Sequence, residues 1–284
     1  MKSKKIKQFF LFFLLIINIV IFYAVFCNNK NKPLKVVFLD VGQGDSIFIE
    51  SPVGNQLLID GGPNKKVLDS IGKVMPFYDR SIDIVLATHP DQDHIGGIPE
   101  IFKNYSVEYF LYTGATSSTN IFKELVNKVS QNKIKEEIVL AGTIIDLGGG
   151  AVLEVLYPSD ISWKDANDSS IVAKLYYGDS SFILTGDAPK EVGDYLANIG
   201  KNDLTSDVLK IAHHGSADSL SESFISKVSP EFSIISAGLD NKYGHPHKEV
   251  VDFLNDTESV FLSTYELGNI FFISDGIGTT LLNH

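Results

Sequence analysis

The chain has 284 residues, of which 44% are hydrophobic and 21% are charged. This composition excludes a disordered or fibrous chain and is sufficient for one large buried core or two small ones. The single cysteine, Cys27, excludes an internal disulfide framework and a cysteine-based zinc site, so metal ligands must come from His, Asp and Glu.

The acidic residues are unevenly distributed. The formal net charge is −11, but residues 1–32 hold six of the 24 basic residues and none of the 35 acidic ones. The remainder therefore carries 18 basic and 35 acidic residues, a balance of −17. Such a domain repels polyanions at long range, which counts against an autonomous, high-affinity nuclease. It does not exclude phosphodiester chemistry, because metal ions supply local positive charge.

The N-terminal segment, residues 1–32, is predicted to be a basic tail, a membrane anchor and a linker. Residues 9–27 are apolar, with Asn18 as their only strongly polar member. A span needs roughly 20 apolar residues, whereas a secretory signal core has about 7–15, so we expect a retained single-pass anchor, with a cleaved secretion signal as the alternative. More lysines precede the run than follow it, which places the start of the chain in the cytoplasm and residues 33–284 outside.

Residues 33–284 are predicted to form one α/β domain. Short strands and turns come first, strand–helix pairs follow, and after Gly142 the pattern starts again. Two similar halves of sheet and helix imply a four-layer αββα sandwich. The predicted strands are 34–41, 46–50, 56–60, 82–88, 107–113, 152–157, 171–177, 182–185, 208–212, 232–236, 259–264 and 269–273, and the predicted helices are 95–105, 118–132, 219–227 and 247–255.

Residues 88–97, THPDQDHIGG, carry the clearest chemical pattern. His89 and Asp91 are two residues apart, so they project to one side of an extended backbone. Asp93 and His94 lie where a helix begins and can face a second point. A solvated loop with a helix N-cap explains only one of these four polar residues. We therefore predict that two cations share this loop.

This pattern resembles the metal-binding signature of the metallo-β-lactamase fold, in the variant with Asp in place of the usual second His. Five further motifs occur in one order and extend the resemblance to the hydrolase domain of the ComEC family of DNA-uptake proteins, here as a stand-alone domain behind one anchor. The family fold is the αββα sandwich, with its site at one edge between the sheets. The five motifs are FLDVGQGDS (38–46), LIDGG (58–62), LTGDA (184–188), LKIAHHGS (209–216) and YGHPH (243–247).

The resemblance implies a site with two divalent metal ions. His89 and Asp91 would hold one ion, Asp93 and His94 the other, and Asp187 would bridge them. The carboxylate-rich set makes Mn²⁺ at least competitive with Zn²⁺. The usual His of the third superfamily motif is absent, and the segment 167–170 (NDSS) stands in its place.

Further residues are expected around this site. His213 or His214 would act as proton donor or ligand, and His245 or His247 as the last ligand or a phosphate contact. The sequence does not decide within either pair, and any of the four could be structural. Asp60 is expected to hydrogen-bond the loop carrying His89. The residues expected to contact ligands or substrate are Asp40, Gln43, Asp45, Asp60, Asn167, Ser216 and His247, although Asp40, Asp45 and Asn167 could instead stabilise turns.

The predicted function is a membrane-anchored metal-dependent hydrolase. Its expected substrate is a phosphodiester in DNA, attacked by a metal-bound hydroxide with Asp93, His213 and His214 as catalytic residues. The alternatives are a hydrolase of a small anionic ester, lactone or lactam, and a non-catalytic surface protein that keeps the fold.

Overall fold

The structure, a computed structural model, describes residues 2–28, 32–200 and 203–282 and divides into two compact units, Met1–Lys32 and Pro33–His284. The first unit is the helix α1 (Lys2–Asn28). Its segment Lys4–Phe22, 19 residues, is long and apolar enough to cross a membrane, and an N-terminal signal sequence shares this character. The helix indicates membrane association of the chain.

The second unit is built on two sheets. Within the described residues the strands are β1 (Leu34–Phe38), β2 (Ile47–Glu50), β3 (Gln56–Ile59), β4 (Ser81–Leu86), β5 (Ser106–Tyr112), β6 (Lys135–Ile138), β7 (Ile144–Gly148), β8 (Ala151–Tyr157), β9 (Val172–Tyr177), β10 (Ser180–Leu184), β11 (Val208–Lys210), β12 (Phe232–Ile235), β13 (Val260–Ser263), β14 (Ile270–Ser274) and β15 (Thr279–Leu282). The eight-stranded sheet has the order β15-β14-β1-β2-β3-β4-β5-β6, and the seven-stranded sheet has the order β13-β12-β11-β10-β9-β8-β7.

Helices cover the outer face of each sheet. They are α2 (Lys66–Ile71), α3 (Gln92–Ile95), α4 (Ile98–Asn104), α5 (Asn120–Asn132), α6 (Lys190–Ile199), α7 (Glu222–Val228), α8 (Lys248–Asn255) and α9 (Thr264–Leu267). One buried apolar cluster lies between the sheets, where Phe272 packs edge-on against Phe38, Phe182 and Phe232. A second joins the eight-stranded sheet to α2, α4 and α5, and a third joins the seven-stranded sheet to α6, α7 and α8. The predicted αββα sandwich is therefore confirmed.

The predicted helix 95–105 is wrong as one continuous element, because the chain breaks between α3 and α4. A Cβ atom at Gly96 would lie 2.1 Å from the carbonyl oxygen of Pro63, and one at Gly97 would lie 2.1 Å from that of Gly61. Only glycine permits this approach of two backbones. The break fixes the loop with the four polar residues against the segment that follows β3.

Other differences lie at the ends and edges of elements. The strand predicted over 208–212 ends at Lys210, because Ala212–Gly215 form a 3₁₀ turn in which His213 and His214 have φ of 49° and 55°. Several short elements were not predicted. The edge strand β6 exposes all four of its residues and so lacks an apolar alternation. The other unpredicted elements are α2, α6, α9, β7 and β15.

Candidate metal centre

Polar side chains from both sheets meet where their strands end. One loop follows β4, a second follows β10, and a third follows β11. The ligand atoms of Asp93, His94, Asp187 and His214 all lie within 4.8 Å of one another. Three of these four residues are buried, and Asp93 is partly exposed. The sequence-predicted loop and the two later motifs thus form one cluster.

Asp187 lies at the centre of this cluster. Its Oδ1 is 3.2 Å from Nε2 of His94, and its Oδ2 is 3.3 Å from Nε2 of His214. The same Oδ2 is 4.0 Å from Nε2 of His89 and 3.6 Å from Nε2 of His213. A carboxylate with imidazoles on both sides has the placement expected of a bridging ligand.

Two groups of candidate ligands adjoin Asp187. In the first, Nε2 of His89 lies 3.7 Å from Oδ2 of the half-exposed Asp91. In the second, Nε2 of His214 lies 3.4 Å from Oδ2 of Asp93. The structure therefore brings together the five residues expected from the resemblance to hold two ions and adds His214.

The polar atoms at the centre fit a metal. Nε2 of His89, His94 and His214 and Oδ1 of Asp187 are all buried without a hydrogen-bond partner, although the three nitrogens lie 4.0, 3.2 and 3.3 Å from the Asp187 carboxylate. A buried polar atom left unsatisfied costs about 1–3 kcal/mol, so four together need a common partner. Imidazole and carboxylate donors suit Zn²⁺ or Mn²⁺.

Hydrogen bonds behind the cluster orient its histidines. Oδ2 of Asp60 accepts from the Thr88 hydroxyl at 2.7 Å and lies 2.7 Å from Nδ1 of His94, while Oδ1 accepts from the Thr88 backbone N–H at 2.8 Å. Nδ1 of His214 donates to the carbonyl oxygen of Ser236 at 2.8 Å. With both Nδ1 atoms engaged, each Nε2 faces the centre, which is the arrangement that supports metal-ligating histidines.

A buried lysine was missed by the sequence reasoning. Lys210 is fully buried, and its ammonium pairs with Oδ2 of Asp45, donates to the Gly186 carbonyl oxygen at 2.9 Å and lies 3.9 Å from Asp187. Oδ1 of Asp45 in turn lies 3.3 Å from Nδ1 of His214. The signal is a lysine at the end of β11 with apolar residues on both sides, because Lys is almost never fully buried unless it is paired.

The protonation of the cluster follows from burial and charge. Burial alone would raise the pKa of Asp187, but His214 and His94 hold it well below its usual range. Burial alone would lower the pKa of His94 and of His214, yet their carboxylate neighbours raise both well above the ordinary value. Burial lowers the pKa of His89 to about 3, so this ring is neutral, as a ligand must be.

The remaining predicted histidines line the outer side of the cluster. His213 is partly exposed, and Ser219 Oγ lies 3.3 Å from its Nδ1. The His245 ring centroid is 5.5 Å from that of His213 and 6.2 Å from that of His214. His247 accepts from the Ala217 backbone N–H at 3.0 Å, so it holds the loop that follows His214.

The other predicted residues are spread more widely. Asp40 is not brought to the cluster: its carboxylate accepts from the Gly42 N–H at 3.0 Å and pairs with Lys66 at 2.7 Å, as in a tight turn. The side chain of Gln43 accepts from the Gly238 N–H. Asn167 begins a 3₁₀ turn with its Oδ1 buried and unpartnered. The backbone N–H of the buried Ser216 donates to the His213 carbonyl oxygen.

Comparison with known proteins places these features in a sequence family. A model of the metallo-beta-lactamase superfamily matches residues 39–238. ComE operon protein 3 of Bacillus subtilis is 32% identical over 253 residues, covering 83% of this chain and 32% of that protein. Recombination protein 2 of Haemophilus influenzae is 28% identical, covering 88% and 30%, and competence protein ComA of Neisseria gonorrhoeae is 28% identical, covering 76% and 28%. The resemblance to the ComEC family is confirmed, and the chain spans about a third of the length of these relatives.

Solved structures show the same fold. The metallo-beta-lactamase fold protein YhfI from Bacillus subtilis matches with a TM-score of 0.54 at 11% identity, covering 82% of this chain and 96% of that one. A metallo hydrolase from Ignicoccus hospitalis matches with a TM-score of 0.52 at 15% identity, covering 89% and 100%. At 11–15% identity the similarity shows a shared fold alone.

Proposed function

The chain belongs to the metallo-beta-lactamase superfamily, and on that premise we propose that it is a two-metal hydrolase that cleaves phosphodiester bonds, with DNA as its substrate. The coarser part, a hydrolase of this superfamily with a His/Asp metal site, rests on the family match and on the cluster around Asp187. The phosphodiester and the DNA are our proposal.

One observation carries the proposal. Three buried imidazole nitrogens without hydrogen-bond partners surround a single carboxylate, Asp187, whose Oδ1 also has none, and a partly exposed carboxylate, Asp93, opens toward solvent beside them. A non-catalytic protein that kept only the fold would gain nothing from leaving these atoms unsatisfied, since each costs stability. An open position beside a metal pair is what hydrolysis requires.

The exposure of each residue decides which role we propose for it. His89, Asp91, Asp93, His94, Asp187 and His214 would hold two divalent ions, which when bound supply Lewis acidity and activate water. The buried His214 is a ligand in this proposal, because its Nε2 faces Asp93 and Asp187. The partly exposed His213 instead stands where its Nε2–H can donate a hydrogen bond to the oxygen on which charge develops. His245 borders both and would contact the phosphate or complete a ligand shell.

DNA is supported by the relatives and opposed by the overall charge. The similar proteins include a competence protein and a recombination protein, and both are far longer than this chain. The balance of −17 from residue 33 onward disfavours tight binding of a polyanion, so we expect a weakly binding enzyme. The same charge favours the second candidate, hydrolysis of a small ester.

The test is a metal-dependent assay of the full chain in detergent. The purified protein is analysed for bound metal and then assayed with Mn²⁺ or Zn²⁺ on single-stranded DNA and on bis(p-nitrophenyl) phosphate. We expect bound metal and turnover of both substrates. Turnover of the small ester alone would favour the second candidate, and a protein with neither metal nor turnover would refute hydrolysis.

Matched variants show whether the activity belongs to this site. Asp187→Asn and Asp93→Ala should each abolish turnover while the circular dichroism spectrum stays native. Asp179→Asn changes an exposed aspartate in the turn between β9 and β10, at the end of β10 opposite to Asp187, and should leave turnover unchanged. Full activity in Asp187→Asn would contradict the site.

The location of the enzyme is also a proposal. We place α1 in the cell membrane as a single span, with the lysine-rich start of the chain in the cytoplasm and residues 33–284 outside. Proteolysis of intact cells or spheroplasts should then degrade the hydrolase part. Its protection until the membrane is permeabilised would reverse the orientation, and release into the medium would indicate a cleaved signal.

A further inference from the structure

A cleft lies directly beside the metal-ligand cluster. It has a volume of about 240 Å³ and shares Asp93 with the cluster, so a molecule in the cleft meets the cluster at that carboxylate. Its lining combines an aromatic ring, an ammonium and two amides that the proposed chemistry does not use. The lining residues are Gln43, Pro63, Gln92, Asp93, Lys242 and Tyr243.

The ring of Tyr243 is exposed but fixed. It is 51% exposed and stacks on His245, with centroids 5.7 Å apart and an interplanar angle of 22°. His245 in turn lies 6.2 Å from His214 of the cluster. Single exposed aromatic residues are common on protein surfaces, but this one is one ring away from a metal ligand.

The loop that carries Tyr243 is held by Asn241. The side-chain oxygen of Asn241 accepts from the backbone N–H groups of Tyr243 at 3.1 Å and His245 at 3.0 Å. Its amide nitrogen donates to the carbonyl oxygens of Gly238, at 2.9 Å, and His245. The ring is therefore presented in one position, so that a ligand does not have to order the loop on binding.

Two polar groups complete the cleft. The ammonium of Lys242 lies 4.8 Å from the centroid of the Tyr243 ring, on a flexible exposed chain. The side chain of Gln43 accepts from the Gly238 N–H at 3.2 Å, which leaves its Nε2 buried without a partner. An aromatic face, a cation and an amide donor together match a nucleotide: a base stacks on the ring and a phosphate contacts the ammonium.

We propose that Tyr243 is a stacking platform for one unpaired nucleic-acid base and that Lys242 contacts a phosphate next to it, so that the site selects single strands. This inference rests on the proposed nuclease function and adds the strandedness of its substrate. A base inside a duplex is already stacked on both faces and cannot cover the ring, whereas an unpaired base can. When a base stacks on Tyr243, the ammonium of Lys242 moves off the ring toward the phosphate.

The experiment pairs a protein variant with a nucleotide variant. The full chain in detergent binds a short fluorescein-labelled oligothymidylate, and fluorescence anisotropy gives the Kd in Ca²⁺, so that affinity is read without turnover. The second ligand is the same oligomer with abasic residues. The proteins are wild type, Tyr243→Leu, Tyr243→Phe and Tyr78→Leu, the last as a control because Tyr78 is 75% exposed outside the cleft.

Stacking of one base contributes about 1–3 kcal/mol, so Tyr243→Leu should weaken binding of oligothymidylate by about 5- to 150-fold. The same substitution should change binding of the abasic oligomer less than about twofold, because no base is left to stack. Tyr243→Phe keeps the ring and should stay near wild type, as should Tyr78→Leu. Equal losses on both oligomers, wild-type affinity in Tyr243→Leu, or no binding by the wild type would each overturn the platform.

The contact of Lys242 with a phosphate is tested by the salt dependence of the Kd. One cation that contacts a single strand contributes about 0.7 to the slope of log Kd against log salt concentration. Lys242→Gln should therefore lower the slope by about that amount, and an unchanged slope would remove Lys242 from the proposal. Binding and cleavage are measured separately, so the two proposals fail separately. A wild type that binds through Tyr243 but cleaves nothing would refute only the proposed nuclease activity. Cleavage that does not depend on Tyr243 would refute only the proposed stacking platform.

Discussion

Replacing Lys210 with Met would remove one partner of a fully buried ion pair. Lys210 is 0% exposed and Asp45 is 2% exposed, so no water replaces the lost ammonium. Burial raises the pKa of Asp45, but Lys210, together with His214 and His94, holds it below its usual value in the native chain. Breaking such a pair costs about 3–5 kcal/mol, because the buried carboxylate of Asp45 loses its lysine partner. At about 2–4 °C per kcal/mol for a domain of this size class, Tm should fall by about 6–20 °C.

The assay is thermal unfolding of the metal-free full chain in detergent, followed by circular dichroism. Lys66→Met is the matched control, because Lys66 pairs with Asp40 at 2.7 Å while both side chains are at least 33% exposed. A surface pair contributes about 0–1 kcal/mol, so the control should lose no more than about 4 °C. The double variant Asp45→Asn with Lys210→Met removes both charges and should recover most of the loss. Equal shifts in Lys210→Met and Lys66→Met, or no recovery in the double variant, would refute the reasoning.

Three further predictions follow from single contacts. Asp60→Asn removes a carboxylate oxygen that accepts a hydrogen bond from His94 or Thr88, so the metal affinity measured by titration should fall about 10- to 100-fold. An unchanged affinity would contradict the orienting role of Asp60. Gly97→Ala puts a Cβ against a backbone oxygen 2.1 Å away, so its Tm should drop by several degrees, and a wild-type Tm would show that the loop can move aside. Hydrogen bonds from Ser221 and Ser223 lower the pKa of Asp194 below 3.8, so this carboxylate stabilises the fold above about pH 3.8 and loses that effect as pH falls. Asp194→Asn should therefore lower Tm at pH 7, with a difference that narrows below pH 3.8, and a constant difference would count against the linkage.

The sequence was most informative where ligands lie close together along the chain. The four polar residues of the loop after β4 occupy six positions, so their convergence follows from local geometry. Only the family resemblance assigns Asp187 and the histidines after β11 to the site, because no local pattern predicts which distant loops meet. The left-handed backbone at His213 and His214 also could not be predicted, and it decides that His214 points inward while His213 remains partly exposed.

The missed elements carried weak or overlooked signals. Helix α6 buries Val192 and Leu196, which are four residues apart as on one face of a helix, but this apolar pattern extends over few residues. Strand β6 exposes every residue and owes its place to pairing with β5. By sequence Lys210 is a single polar residue in a strand, and only the fold brings against it Asp45, from the loop between β1 and β2 of the other sheet. The local periodicity of apolar residues does not predict pairings between distant segments of the chain.

The proposed metal ligands come from loops that follow strands of both sheets. Asp93 and His94 follow β4 of the eight-stranded sheet, whereas Asp187 and His214 follow β10 and β11 of the seven-stranded one. An ion held by all four would link the halves of the sandwich, and its binding free energy would add to the stability of the folded state alone. Cells short of the cation would then hold a looser protein that proteases remove sooner, so that metal supply would regulate how much of the protein persists as well as how fast it works.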